Sequence, residues 1–303
     1  MKQEKPSIGS NPGPKPGRER LFPTAKEDAE SAQLPADSPQ TQSSSYRLAF
    51  QDSEFLLRDE LRPVRLQLEL LKPELIQQEH QIESTVVIFG SARIPDPETA
   101  KRNLEVLEKS LKEASENENL LRLTRIARRA VENSRYYEDA RKLGALISRN
   151  TDWDKLVVVT GGGPGIMEAA NRGAFESGAQ SIGMNIVLPY EQRPNPYITP
   201  DLSFNFHYFA IRKMHLLIRA KAMVAFPGGF GTLDELFETL TLIQGGKVKK
   251  IPVLLFGKNY WDKVVNFDAL LEEGMIGESD FRLFRFVETA EEAWEVIAKA
   301  NGL

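Results

Sequence analysis

The sequence predicts an α/β fold: a doubly wound parallel sheet preceded by a helical extension and a disordered N-terminal tail. Three observations carry this prediction. Short apolar runs alternate with helical stretches from residue 84 to the C-terminus. Runs such as "LVVVT" and "PVLLF" are apolar throughout, which suits strands covered on both faces. The resulting β–α–β rhythm is that of a Rossmann-like sheet.

The elements follow in order. Residues 1–45 hold Pro6, Pro12, Pro14, Pro16, Pro23, Pro35 and Pro39 among Gly, Ser, Lys and Glu, with Phe22 as the sole aromatic. Such a stretch buries too little apolar surface to offset its ordering entropy and is assigned as a disordered tail. Residues 46–83 form the helical extension. Phe55, Leu56, Leu61, Val64, Leu68 and Leu71 recur near every third or fourth position, and Pro63 and Pro73 are expected to break the run into short helices. With little of its own to cover that stripe, the extension is expected to pack on the following domain or on another subunit.

Residues 84–303 form the main domain. Strands are predicted at 85–89, 156–160, 181–188, 223–226, 252–256 and 283–287. Helices are predicted at 97–116, 134–148, 165–177, 208–221, 232–244, 260–273 and 290–300. The charged span 117–132, with Arg122, Arg125, Arg128 and Arg129, is expected to be a solvated helical insertion.

Composition narrows the chemistry. The chain has 303 residues, 39 Lys+Arg against 43 Asp+Glu for a formal charge of −4, 41% hydrophobic residues and no cysteine. A disulfide framework, a thiolate zinc site and a cysteine nucleophile are excluded. The mildly acidic balance without a basic block speaks against nucleic acid as a partner. No run approaches the roughly 18–20 apolar residues of a membrane span, and the N-terminus lacks the apolar core of a signal peptide. The expectation is a soluble, cytoplasmic protein without a membrane partner.

In an open parallel sheet, ligands sit beyond the carboxyl ends of the strands. Three of those ends carry glycine: "VVIFGSAR" with Gly90 and Ser91, "VVVTGGGPGIMEAANRGA" with Gly161, Gly162, Gly163 and Gly165, and "MVAFPGGFGTLDELFE" with Gly228, Gly229 and Gly231. Glycine admits positive φ and lets a ligand approach without a Cβ in the way. The helix that follows offers unpaired N–H groups and a positive dipole end, so a phosphorylated ligand is expected there, with Thr232 as a cap or a phosphate contact. "GGGPGIME" lacks the third glycine of a dinucleotide fingerprint, and no P-loop lysine motif exists, so neither class fits.

Charged groups converge on the same edge. Asp234, Glu235 and Glu238 lie in the first two turns after "PGGFGT", and Glu235 can face the cleft. Arg212 and Lys213 open the helix that feeds the strand before Pro227. His80, His207 and His215 show no ligand spacing, so no metal site is expected; no G-x-S-x-G elbow is present.

"GGGPGIMEAANRGA", "RKM" upstream of the proline, and the complete P-G-G-x-G-T-x-x-E at residues 227–235 together resemble the Lonely Guy (LOG) family of nucleoside 5′-monophosphate phosphoribohydrolases. The resemblance runs from residue 85 to 303 and is strongest to the longer bacterial members, which share "FGSAR", "LPYEQRPNPYI" and "ELFETLTLIQ". It implies hydrolysis of the N-glycosidic bond to free base and ribose 5-phosphate, without a cofactor. Members were long labelled lysine decarboxylases, but no pyridoxal-phosphate motif is evident in this chain. By position, the resemblance places the catalytic pair on Arg212 and Glu235. Lys213 and Asp234 accompany them, and Gly228, Gly229, Phe230, Gly231 and Thr232 hold the phosphate. Gly90, Ser91, Gly162, Gly163, Glu191 and Thr241 are further expected substrate contacts. Arg212 is expected to keep Glu235 ionised. The family is typically dimeric or larger, so a homo-oligomer is expected. The N-terminal extension, His215 after the Arg-Lys pair and the longer loop after Leu188 differ from the short plant-type members. AMP or a related purine nucleotide is therefore the expected substrate. The alternative is a non-catalytic nucleotide-binding or regulatory protein on the same fold.

Overall fold

The computed structural model describes residues 22–32, 37–149, 156–189 and 193–303. The chain divides into two compact units, Met1–Arg65 and Leu66–Leu303. In the first, α1 (Ala25–Ser31), α2 (Pro39–Gln42) and α3 (Ser53–Leu56) contain no buried residue. Two of these lie inside the stretch expected to be a disordered tail. Local capping accounts for them: Thr24 with Glu27, and Ser38 with Thr41, form reciprocal capping boxes.

The helix α4 (Arg62–Glu79) runs through both prolines, contrary to the expected break. Pro63 stands in the first turn, where its missing N–H has no helical role. Pro73 removes the N–H that would have bonded the Glu69 carbonyl, but that oxygen meets His215 Nε2 at 3.3 Å instead. Leu68, Leu71 and Leu75 stay exposed on this helix.

The larger unit is built on one all-parallel, seven-stranded sheet in the order β4-β3-β2-β1-β5-β6-β7. Its strands are β1 (Ser84–Phe89), β2 (Leu156–Thr160), β3 (Ser181–Ile186), β4 (Ser203–Phe206), β5 (Ala220–Ala225), β6 (Val253–Phe256) and β7 (Arg285–Val287). The expected doubly wound parallel sheet is therefore present. Its one unexpected strand, β4, is a four-residue edge in which Phe204 and Phe206 are buried and Asn205 is exposed.

The helices of this unit are α5 (Pro97–Glu113), α6 (Glu118–Asn133), α7 (Arg135–Ser148), α8 (Ile166–Glu176), α9 (Phe209–Ile218), α10 (Phe230–Gln244), α11 (Lys258–Val264), α12 (Phe267–Glu272) and α13 (Ala290–Asn301). The helix predicted at 260–273 is split into α11 and α12, because Asn266 leaves the helical path and caps α12 by accepting the Ala269 N–H. The predicted insertion is α6, with Arg122, Arg125, Arg128 and Arg129 all exposed.

Every residue of β1 and β2 is buried, and their side chains feed two cores. Val86 and Ile88 join residues of α7, α8 and α13, whereas Val87 and Phe89 face Leu216 of α9 and Leu236 of α10. The strand order reverses at β1. The exits of β2, β1 and β5 thus lie side by side at the topological switch point, where open α/β sheets bind ligands. Among the described residues, no helix is long and apolar enough to cross a membrane.

Candidate active site

The first glycine turn is held from behind by a buried polar network. Thr160 Oγ1 accepts the Gly162 N–H at 3.0 Å and donates to Asn171 Oδ1 at 2.7 Å. Asn195 Nδ2 donates to the carbonyls of Gly162 and Gly163 at 3.2 and 3.1 Å and to Asn171 Oδ1 at 3.0 Å. Gly162 has φ +77°, and a Cβ there would lie 2.2 Å from Asn185 Oδ1. At Gly165, φ is +71° and a Cβ would lie 2.4 Å from the Ser91 carbonyl oxygen. That same oxygen accepts the Ile166 N–H at 3.2 Å. The first turn therefore spends its Gly162 and Ile166 amides inside the protein. Gly90 serves close packing too, since a Cβ there would meet Ile166 at 2.5 Å.

The second turn is different. Among the described residues, the N–H groups of Gly229, Phe230 and Gly231 donate to no protein acceptor, and α10 starts behind Gly229 without a side-chain cap. Thr232 is buried, and its side chain lies over Gly228. The Tyr260 hydroxyl donates to the Gly228 carbonyl and braces the turn from α11. These unpaired amides stand at the positive end of a four-turn helix, the arrangement that favours an oxyanion. Phe230 projects from the turn with 92% of its surface exposed.

Arg212 and Glu235 stand between the two turns. Arg212 Nε donates to the Met184 carbonyl within β3 (2.7 Å), and Nη1 lies 3.4 Å from Glu235 Oε1. Its Nη2 covers Gly161 so closely that a Cβ there would be 2.6 Å away. Glu235 is only 4% exposed. Burial pushes its carboxyl up to about 7, even though Arg212 and Lys213 pull it down. The expectation that Arg212 keeps Glu235 fully ionised is thus corrected: desolvation outweighs a contact as long as 3.4 Å. Burial also lowers Arg212, against the pull of Glu235 and Asp234. Lys213 is half-buried, but its bonds to Asp234 (2.8 Å) and Glu238 (2.7 Å) outweigh that burial and raise it.

The structure thus brings Arg212, Lys213, Asp234 and Glu235 together beside residues 228–232. Ser91 reaches the same edge, donating its N–H to the Pro227 carbonyl at 2.9 Å. Thr241 is not part of this cluster: it sits on an exposed face of α10 with its hydroxyl bonded to the Phe237 carbonyl at 2.7 Å. Glu191 lies outside the described residues. Sequence reasoning missed Met184, Asn195 and Tyr260, which act through one carbonyl, one amide and one hydroxyl supplied from distant segments. Thr160 and Asn171, inside the quoted "VVVTGGGPGIMEAANRGA", and Asn195, inside "LPYEQRPNPYI", carried a motif signal without being singled out. Among the described residues, no group of three His, Asp or Glu is placed to hold a metal ion.

A family model described as possible lysine decarboxylase matches residues 167–297. Cytokinin riboside 5′-monophosphate phosphoribohydrolase LOG3 of Arabidopsis thaliana is 31% identical over 163 residues, which is 52% of this chain and 73% of that protein. The chain belongs to the LOG family. LOG1 of Arabidopsis thaliana is 32% identical over 145 residues, 46% of this chain and 65% of its own length. LOG of Oryza sativa subsp. japonica is 32% identical over 161 residues, 52% of this chain and 64% of its own length. The chain thus spans less than two thirds of each of these last two relatives. For this LOG-family chain, the decarboxylase description finds no counterpart in a pyridoxal-phosphate motif.

Proposed function

We propose that the protein hydrolyses the N-glycosidic bond of a nucleoside 5′-monophosphate, AMP or a related purine nucleotide, releasing free base and ribose 5-phosphate. The observation that carries this reading is a buried Glu235–Arg212 pair beside a turn whose amides have no protein acceptor. In this reading the phosphate accepts hydrogen bonds from Gly229, Phe230 and Gly231, and Thr232 adds its hydroxyl. Anchoring that end of the substrate fixes the ribose against Glu235 and converts a diffusive encounter into an oriented one.

Cleavage of the C1′–N bond builds positive charge on the sugar. The ionised carboxylate of Glu235, in a site with little water, stabilises that charge. The bonding pair leaves with the base, and a water oxygen adds to C1′. The proton that water loses passes to Glu235, whose affinity near neutrality suits proton exchange at working pH. The departing base nitrogen takes up a proton in its place, from Glu235 or from solvent, so that neutral base is released. Arg212, held by the Met184 carbonyl, orients the carboxylate and binds substrate oxygens. Supporting the family link are relatives whose names state phosphoribohydrolase action on cytokinin riboside 5′-monophosphates.

We infer a homo-oligomer as well. Met214 and Ile218 of α9 and Phe237 of α10 are exposed apolar side chains on the two helices that carry the site. Light scattering is expected to give a mass at least twice the monomer's; a monomer at micromolar concentration refutes it.

The direct test incubates the protein with AMP, GMP, CMP and UMP and follows free base by chromatography. Base release from AMP, lost in Glu235→Gln, is the expected result. Nucleotide binding without base release would instead favour a regulatory protein.

A further inference from the structure

We propose that Glu69 of α4 is a positioning residue: by capping the N-terminus of α9 it fixes where Arg212 and Lys213 meet Glu235. This extends the proposed function, because the helix it holds is the one that presents the arginine.

The helix α9 starts behind Tyr208, which offers no side-chain cap, so its leading N–H groups need another acceptor. Glu69 supplies it. Its Oε1 accepts the His207 N–H at 2.8 Å and its Oε2 accepts the Tyr208 N–H at 3.1 Å. A carboxylate at this end also complements the helix dipole. The Tyr208 carbonyl in turn accepts the Arg212 N–H at 3.2 Å. One residue, Tyr208, therefore links the Glu69 carboxylate to the backbone of the arginine.

The same helix grips α9 twice more. Pro73 leaves the Glu69 carbonyl without a helical donor, and His215 Nε2 stands 3.3 Å from it. The carbonyl can only accept, so Nε2 carries the proton. At the C-terminal end of α9, Arg219 makes a two-pronged pair with Glu74, at 2.6 and 2.7 Å. That pair lies about 10 Å along the axis from Arg212, given a rise of about 1.5 Å per residue. It ties the same two helices together without touching the turn that carries the arginine, which makes it the natural control.

The experiment compares full-length Glu69→Ala, Glu69→Gln and Glu74→Ala with the parent. Thermal midpoint, kcat and KM for AMP are measured, together with the titration of Glu235 by carboxyl NMR. Displacing a catalytic group by a fraction of an ångström costs about 10-fold or more in rate, so Glu69→Ala is expected to lower kcat by that factor and to change KM by less than about 3-fold. Glu74→Ala is expected to lose similar thermal stability while keeping kcat within about 2-fold of the parent. Glu69→Gln keeps one acceptor oxygen but loses the charge, and recovers only part of the rate.

Glu235 feels the charges of Arg212 and Lys213, which lower it, and of Asp234 and Glu238, which raise it, and only the first two ride on α9. Its titration in Glu69→Ala therefore moves to higher pH. Unchanged kcat with an unmoved Glu235 titration overturns the proposal, as does Glu74→Ala matching Glu69→Ala in rate loss. If the parent releases no base, the activity reading fails by itself and the titration still decides the positioning role. Should Glu69→Ala not fold, Glu69→Gln decides by a smaller shift in the same direction or by its absence.

Discussion

Arg212 Nη1 stands 3.4 Å from Glu235 Oε1, longer than a well-formed charge-assisted hydrogen bond, although both side chains are nearly buried. A tighter pair would lock the carboxylate in its ionised form. At this separation the desolvation of Glu235 prevails, and the group is poised near neutrality.

The pH dependence of activity follows. With Glu235 acting in its ionised form, kcat/KM is expected to rise with pH through a midpoint near 7. Rates on AMP between about pH 5 and 9 measure it. A flat profile across that range would show that an ordinary carboxylate, ionised throughout, is at work.

Glu235→Gln separates chemistry from stability. Base release is expected to fall by at least about 100-fold, the usual scale for a proton-transfer group. The folded carboxyl titrates near 7 and the unfolded one near 4.5, so in this window the native state holds a proton that the unfolded state has released. Stability contributed by Glu235 therefore declines as pH rises between those values. The glutamine variant escapes that loss, so its stability relative to the parent is expected to grow by up to about 3 kcal/mol between about pH 5 and 8. Thermal melts at both pH values check the sign; a pH-independent difference contradicts it.

Arg212→Lys is not expected to rescue Arg212→Ala. A lysine has one nitrogen, whereas the guanidinium reaches the Met184 carbonyl and Glu235 with different nitrogens. Both variants are expected to lose about 100-fold or more in kcat/KM. Recovery to within 10-fold by lysine would mean that charge alone suffices.

Glycines of the two turns should respond differently to a methyl group. Gly165→Ala adds a Cβ against the Ser91 carbonyl at φ +71° and is expected to cost at least about 1–3 kcal/mol of stability. Gly229 has φ −93° and open space around its added Cβ. Gly229→Ala is therefore expected to fold normally and to raise KM for AMP, because the methyl faces the volume assigned to phosphate. Melting curves and KM values distinguish the two outcomes.

Tyr260→Phe removes the hydroxyl that donates to the Gly228 carbonyl and leaves the ring in place. A loss of about 1 kcal/mol in stability and a several-fold rise in KM with little change in kcat are expected. Calorimetry and steady-state rates measure both.

The sequence revealed what is local. β1, β2 and β6 stand out because strands covered on both faces must be apolar at every position, and residues 227–235 stand out because an anion-binding turn demands glycine and an adjoining helix. β4 was hidden because an edge strand of four residues with one exposed polar position has no distinctive pattern. The continuity of α4 was hidden because the donor that replaces Pro73 comes from His215, far along the chain. Glu69 and Tyr260 left no trace for the same reason: each serves the site through backbone atoms of another segment, and backbone atoms carry no sequence signature. The protonation of Glu235 was misjudged because burial, unlike charge, is set only by the assembled fold.

The floor of the cleft is made where backbone presses on backbone or on a neighbouring side chain, at Gly90, Gly162 and Gly165. No other residue fits those positions, so the floor has almost no freedom to drift. Any change in nucleobase preference during evolution must then be written on the rim, in protruding groups such as Phe230 that contact nothing essential to the scaffold. Members of this lineage with different appetites should be alike beneath the phosphate and unlike above the sugar.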